Sequence, residues 1–244
     1  MANFVLVHGA WHGAWCWQRV TDALWAAGHR VFAVTLTGVG DRAHLLSADI
    51  TLETHIADVM ATIESHELQE VVLAVHSYAG MIGTAIADRM PQRLRHLVYV
   101  DAGLPAPGEA WGCKHAVETR QARIAAIEAS PLRTLAPPDA AVFGLQGEDR
   151  DWVNRRMTPH PGQAYTAPLA FDVARVGSVP RTFISCTSPA LATIAASRVR
   201  VADPGFWDGH WHPKGRVVEM ATGHNPMVSA PGALTDILLE CASI

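Results

Sequence analysis

Short, nearly continuous apolar runs alternate along this chain with longer stretches whose apolar residues recur at helical spacing. Phe4–His8, ending at Gly9, predicts a buried strand by its length and its β-branched and aromatic content. A Gly- and Trp-rich loop follows, then a helical stretch to about Ala27 closed by Gly28. Arg30–Leu36 predicts a second strand, broken by the loop Thr37-Gly38-Val39-Gly40-Asp41. Across Thr51–Ser65, the residues Leu52, Ile56, Val59, Met60 and Ile63 follow a helical period. Val71–Val75 predicts a third, buried strand; after Ser77 comes the small-residue helix Gly80–Arg89, and Leu97–Val100 predicts a fourth strand.

Strand alternating with helix implies an α/β chain: a mostly parallel sheet with helices on both faces. The alternation stops from Leu104 to about Arg175, where Ala, Pro and Arg abound without a clear strand. It resumes with strands at Arg181–Cys186 and Arg216–Met220 and a helix at Pro231–Glu240, which has proline in its first turn. The expectation is a single domain over 1–244 with a small cap insertion at approximately 104–175. Such an insertion would sit over the strand ends, where open α/β sheets bind ligands.

Composition narrows the classes. Apolar residues are 49% and charged residues 17%, which favours a buried core over disorder. A formal net charge of −4 leaves no basic excess for a nucleic-acid partner. No apolar run approaches the roughly 20 residues that span a bilayer, and a strand-like run begins directly after Met1-Ala2-Asn3, so no membrane or secretory role is expected. Cys16, Cys113, Cys186 and Cys241 stand far apart, as reduced thiols of a cytoplasmic protein would.

Three constellations carry chemistry. In Ala74-Val75-His76-Ser77-Tyr78-Ala79-Gly80 a strand runs into a serine flanked by small residues and on into a helix, the arrangement of a nucleophile elbow. The G-x-S-x-G pattern is broken twice, by Val75 and Ala79, although Gly80 follows; a serine capping a helix is the alternative. At the end of the first strand, Leu6-Val7-His8-Gly9-Ala10-Trp11 could supply an oxyanion donor. Acyl transfer needs such donors, and the candidates are the backbone N–H groups of Tyr78 and Ala10. Third, Ala221-Thr222-Gly223-His224-Asn225 follows the last strand, from which a general base reaches the serine in this arrangement. That position singles out His224 among 13 histidines.

Phe4–Gly13, His76-Ser77-Tyr78 and Gly223-His224 together resemble the plant methylesterase and hydroxynitrile lyase branch of the α/β-hydrolase fold. Thr35–Arg42 and Met157-Thr158-Pro159-His160-Pro161 are similar to bacterial esterase members of that branch. The resemblance covers most of the chain and implies a Ser-His-Asp triad whose acid follows the strand Arg181–Cys186, where members read Cys-Thr-x-Asp. This chain reads Cys186-Thr187-Ser188-Pro189, so proline stands in the acid's place. Three alternatives remain. A Ser77–His224 dyad with a backbone or solvent partner orienting the imidazole ranks first. Asp101, after the fourth strand, ranks second, and Asp203 or Asp208 folding back comes third. Cyanogenic members carry lysine directly after the catalytic histidine. Here Asn225 stands there, and the chain's lysines are Lys114 and Lys214. Esterase is therefore favoured over lyase.

The resemblance implies a serine hydrolase that needs no metal and no organic cofactor. Its substrate would be a small aromatic carboxylic or carbamate ester, such as the methyl carbamate of a benzimidazole. Alternatives are a lyase-like enzyme or a non-catalytic ligand-binding homologue. Eight tryptophans suit a flat aromatic substrate, with Trp11 and Trp111 as candidate binding residues and most of the others packing the core. His210-x-His212 lacks the further ligands of a metal site. A second copy of the chain, forming a homodimer, is the candidate protein partner.

Overall fold

The computed structural model describes residues 1–212 and 214–244. Six strands form one sheet: β1 (Asn3–Val7), β2 (Arg30–Val34), β3 (Val71–His76), β4 (Leu94–Val100), β5 (Arg181–Cys186) and β6 (Gly215–Met220). Their spatial order is β6-β5-β4-β3-β1-β2, and every pairing is parallel. Every residue of β3 and β5 is buried, as parallel strands covered on both faces require. The fourth strand begins three residues before its apolar run, because Leu94 and His96 pair with Val71 and Val72 at the start of β3.

Helices α1 (Gln18–Ala26), α2 (Leu52–Ser65) and α3 (Gly80–Arg89) follow β1, β2 and β3. Thr51 caps α2 reciprocally with Thr54, each side chain accepting from the other's backbone N–H. Gly28, at φ 83°, turns the chain out of α1 as its position predicts. The C-terminal helix Pro231–Ser243 packs on α1, while α2 packs on α3, so a helical layer lies on each face of the sheet. One continuous apolar core joins the layers.

Between β4 and β5 the chain adds no strand to this sheet. It folds into α4 (Val117–Ala129), α5 (Gly147–Asn154), shorter helical turns and two small antiparallel ribbons. The ribbons pair Glu109–Ala110 with Pro168–Leu169 and Thr134–Leu135 with His160–Pro161. A further helix, α6 (Ala195–Ala202), lies between β5 and β6. All four cysteines are free; Cys16, Cys186 and Cys241 are buried and Cys113 is exposed. Among the described residues, no helix is long and apolar enough to cross a membrane.

Candidate active site

The elbow begins where β3 ends. Ser77 has φ 54°, a left-handed conformation that costs a non-glycine residue of order 1–3 kcal/mol. The sequence's departures from G-x-S-x-G are compensated on the helix that follows. A Cβ on Gly83 would lie 2.8 and 2.9 Å from the two methyl carbons of Val75, so Gly83 makes the room that the missing first glycine would have made. A Cβ on Gly80 would come within 2.0 Å of the Gly103 carbonyl oxygen, and Gly103 N–H donates to Ser77 O at 2.8 Å. Smallness is required here, and it has moved from the strand to the helix.

Opposite the serine, His224 Nε2 lies 2.9 Å from Ser77 Oγ. His224 Nδ1 lies 2.7 Å from Asp101 Oδ2, with both side chains buried. With Nδ1–H donating to the carboxylate, Nε2 is left to accept the serine proton. The imidazole thus has a carboxylate partner, in place of the backbone or solvent partner that ranked first from the sequence. Asp203 accepts from Gly205 N–H at 2.9 Å and is exposed, as is Asp208, so neither folds back onto the histidine.

Asp101 is fully buried, with φ 40°, at the end of β4 beside the serine's strand. Its other oxygen accepts from Arg198 Nη2 at 2.8 Å and from Cys186 N–H at 3.2 Å. Arg198, on α6, also donates to Cys186 O, Leu191 O and Ser185 Oγ at 2.9, 2.9 and 3.2 Å. It therefore ties the carboxylate to the loop that holds Pro189.

Gly9 brings the β1 loop against the elbow: a Cβ there would meet Ser77 Cβ at 2.7 Å and the His76 ring at 2.8 Å. Among the described residues, Ala10 N–H has no protein acceptor. Tyr78 lies in the first turn after Ser77, where backbone N–H groups lack intrahelical partners. Neutral histidines brace these loops. His12 Nδ1–H donates to Ala10 O at 2.7 Å, and its Nε2 accepts from Asn225 Nδ2 at 3.0 Å. Burial lowers the His12 pKa to about 4. His76 Nε2–H donates to His224 O at 2.8 Å, and burial holds its pKa well below the usual histidine value. His55 Nδ1 accepts from Tyr78 OH at 2.9 Å, and its pKa is lowered by burial to about 4.

A cavity of ≈ 260 Å³ opens onto Ser77 and His224, walled by Trp11, Trp111, Phe143, Leu191 and Ile194 with Arg123. The Trp11 and Trp111 rings meet edge to face, with centroids 6.2 Å apart. Trp11 itself has φ 66° and donates from its ring nitrogen to Leu135 O at 3.1 Å. Trp17, Trp207 and Trp211 are core residues away from this wall, and Trp15 stacks on His12. Among the described residues no group of three metal-ligating side chains is gathered. Sequence reasoning missed Arg123, Phe143, the Leu191–Ile194 wall and Arg198. Their roles depend on where the insertion and α6 fold back, and no local motif announces that.

Comparison with known proteins agrees with this architecture. Residues 4–237 match the alpha/beta hydrolase family. The chain is 39% identical to the carbendazim hydrolyzing esterase of Nocardioides sp. (strain SG-4G), covering 98% of both chains. It is 29% identical to methylesterase 7 of Arabidopsis thaliana, over 98% of this chain and 96% of that one. Among solved structures, an extracellular alpha/beta-hydrolase from a Paenibacillus species aligns with a TM-score of 0.81 at 19% identity, covering 99% of each chain.

Proposed function

The chain belongs to the α/β-hydrolase family and is an esterase-type hydrolase, and from that premise we propose that Ser77 is its nucleophile, His224 its general base and Asp101 the triad acid. The observation that carries this reading is the continuous hydrogen-bond chain from Ser77 Oγ through the imidazole to the buried Asp101 carboxylate. Ser77 attacks an ester or carbamate carbonyl as His224 takes its proton. The tetrahedral oxyanion is met by the backbone N–H groups of Ala10 and Tyr78. His224 then returns the proton to the leaving alcohol, and water, activated by the same imidazole, releases the acyl or carbamoyl group. Arg198 and Cys186 N–H hold Asp101 so that its free oxygen stays on Nδ1. Trp11 and Trp111 would bind a small aromatic substrate against the serine.

A carbamate such as carbendazim is the substrate suggested by the Nocardioides relative, a carbendazim hydrolyzing esterase. A lyase reading gains nothing from the site, since Asn225 is buried and bonded to His12. The absence of paired cysteines suits a reducing, cytoplasmic compartment. The test is product release from carbendazim and from a simple aryl ester, together with fluorophosphonate labelling, for wild type and Ser77→Ala. Loss of label and of all turnover in the variant is expected. Turnover surviving in Ser77→Ala would refute the assignment of the nucleophile, and ester cleavage without carbamate cleavage would remove carbendazim as a substrate.

A further inference from the structure

Arg123 projects from α4 of the insertion into the wall of the catalytic cavity. Arg19, Arg42, Arg89, Arg150, Arg198, Arg200 and Arg216 each have a carboxylate within 3 Å. Arg123 makes no ion pair among the described residues, although it is half-buried. Its guanidinium is held by ring faces instead: the carbon lies 5.7 Å from the Trp11 centroid, 5.9 Å from Trp111 and 5.7 Å from Tyr165. Among the described residues its side-chain hydrogen bonds go to neutral groups: the Tyr165 hydroxyl and, 3.3 Å from Nη1, His115 Nδ1, an imidazole that burial and the arginine's own charge keep neutral. That nitrogen is also 2.6 Å from Tyr165 OH. A guanidinium has five N–H donors in one plane. Among the described residues only these two neutral groups accept from it, so most of its donors have no protein acceptor.

The rest of the wall is almost wholly apolar, apart from the reacting pair and Thr193. An unpaired cation set in such a wall keeps its desolvation cost unless a ligand supplies the counter-charge. Planar, bidentate donors match a carboxylate better than any neutral group. We infer that Arg123 is a carboxylate-recognising residue of the substrate site, and that the enzyme prefers aromatic esters bearing a second, anionic carboxyl group remote from the scissile bond. This inference rests on the hydrolase reading of Ser77 for its turnover consequences but not for its binding ones.

The probes are monomethyl terephthalate and its neutral isostere, methyl 4-carbamoylbenzoate, with the corresponding meta isomers. Wild type should favour the acid over the amide by roughly 10- to 100-fold in kcat/KM, mostly through KM, as charge-assisted hydrogen bonds allow. Arg123→Met should erase that ratio and Arg123→Lys should retain part of it. Arg123→Glu should reverse it toward an ester carrying a trimethylammonium group. In Ser77→Ala, binding of the acid read from tryptophan fluorescence should weaken at least tenfold when Arg123→Met is added. Equal use of acid and amide by wild type in both ring series would overturn the inference, as would a parallel loss on both in Arg123→Met. Fluorophosphonate labelling on the same preparations separates the two readings. A labelled Ser77 with no acid preference defeats only the Arg123 inference. An unlabelled Ser77 with Arg123-dependent acid binding defeats only the hydrolase reading and supports the carboxylate site.

Discussion

Asp101 carries its carboxylate on a left-handed backbone and exposes none of its surface. Asp101→Asn should lower kcat by about 10⁴ while the protein stays folded, because the wrong imidazole tautomer then faces the serine. Asp203→Asn and Asp208→Asn should leave turnover near wild type. Steady-state rates with circular dichroism check both, and activity above a tenth of wild type in Asp101→Asn would restore the dyad. Arg198 supplies a second expectation. It holds Asp101 against the Cys186 carbonyl, so Arg198→Met should lower kcat by roughly tenfold with KM little changed. Arg198→Lys should restore part of that loss, whereas a variant with reduced stability and unchanged kcat would show that the arginine only packs α6. As candidates, Ser77, His224, Ala10, Tyr78, Trp11 and Trp111 could be picked out from local pattern and chain order, and the structure brings Ser77, His224, Trp11 and Trp111 to one cavity. The partner of His224 could not: Asp101 is 123 positions away from it, and only the neighbouring of β4 with β3 brings the two together. Nothing in the residues around Arg123 or Arg198 distinguishes them from surface arginines.

Elements whose burial is complete were legible, because strands covered on both faces carry apolar runs that length alone identifies; β5 and α3 have the bounds that the pattern predicts. The insertion was less legible, since its longest helix, α4, is only weakly amphipathic and its ribbons are two residues long. The interplay of β3 and α3 offers a test at this scale. An alanine replacing glycine inside a helix ordinarily gains about 1 kcal/mol. Here the new methyl would press on both Val75 methyl carbons, so Gly83→Ala should instead destabilise by about 1–3 kcal/mol. In a Val75→Ala background the same change should turn favourable, a coupling that denaturant titration of the four proteins would measure. Additive effects would mean that Gly83 is not what accommodates Val75.

Over the whole molecule, buried imidazoles link stability to pH. His8, His12 and His55 have pKa values lowered by burial to about 3, about 4 and about 4, from 6.5. Below pH 6.5 the unfolded chain takes up protons at these residues that the folded one refuses until its own lower pKa is reached. Their stabilisation is therefore complete above pH 6.5 and is lost progressively as pH falls toward 4. At pH 5 each costs about 2 kcal/mol, and the three together are comparable with the about 5–15 kcal/mol that holds a domain folded. Thermal melting should show Tm falling steeply between pH 6.5 and 5; a Tm flat over that interval would mean that these rings are not held neutral. Placing the acid at Asp101, as proposed, has a different kind of consequence. Where a carboxylate occupies the loop after the fifth strand, each change in that loop puts the reaction at risk. In this chain Pro189 stands there, and Arg198 grips the segment through the carbonyls of Cys186 and Leu191, which every residue possesses. The side chains of 191–194 wall the cavity and, on that assignment, carry no part of the acid, which would leave them free to diverge under selection for new substrates while the Ser77–His224–Asp101 chain is kept.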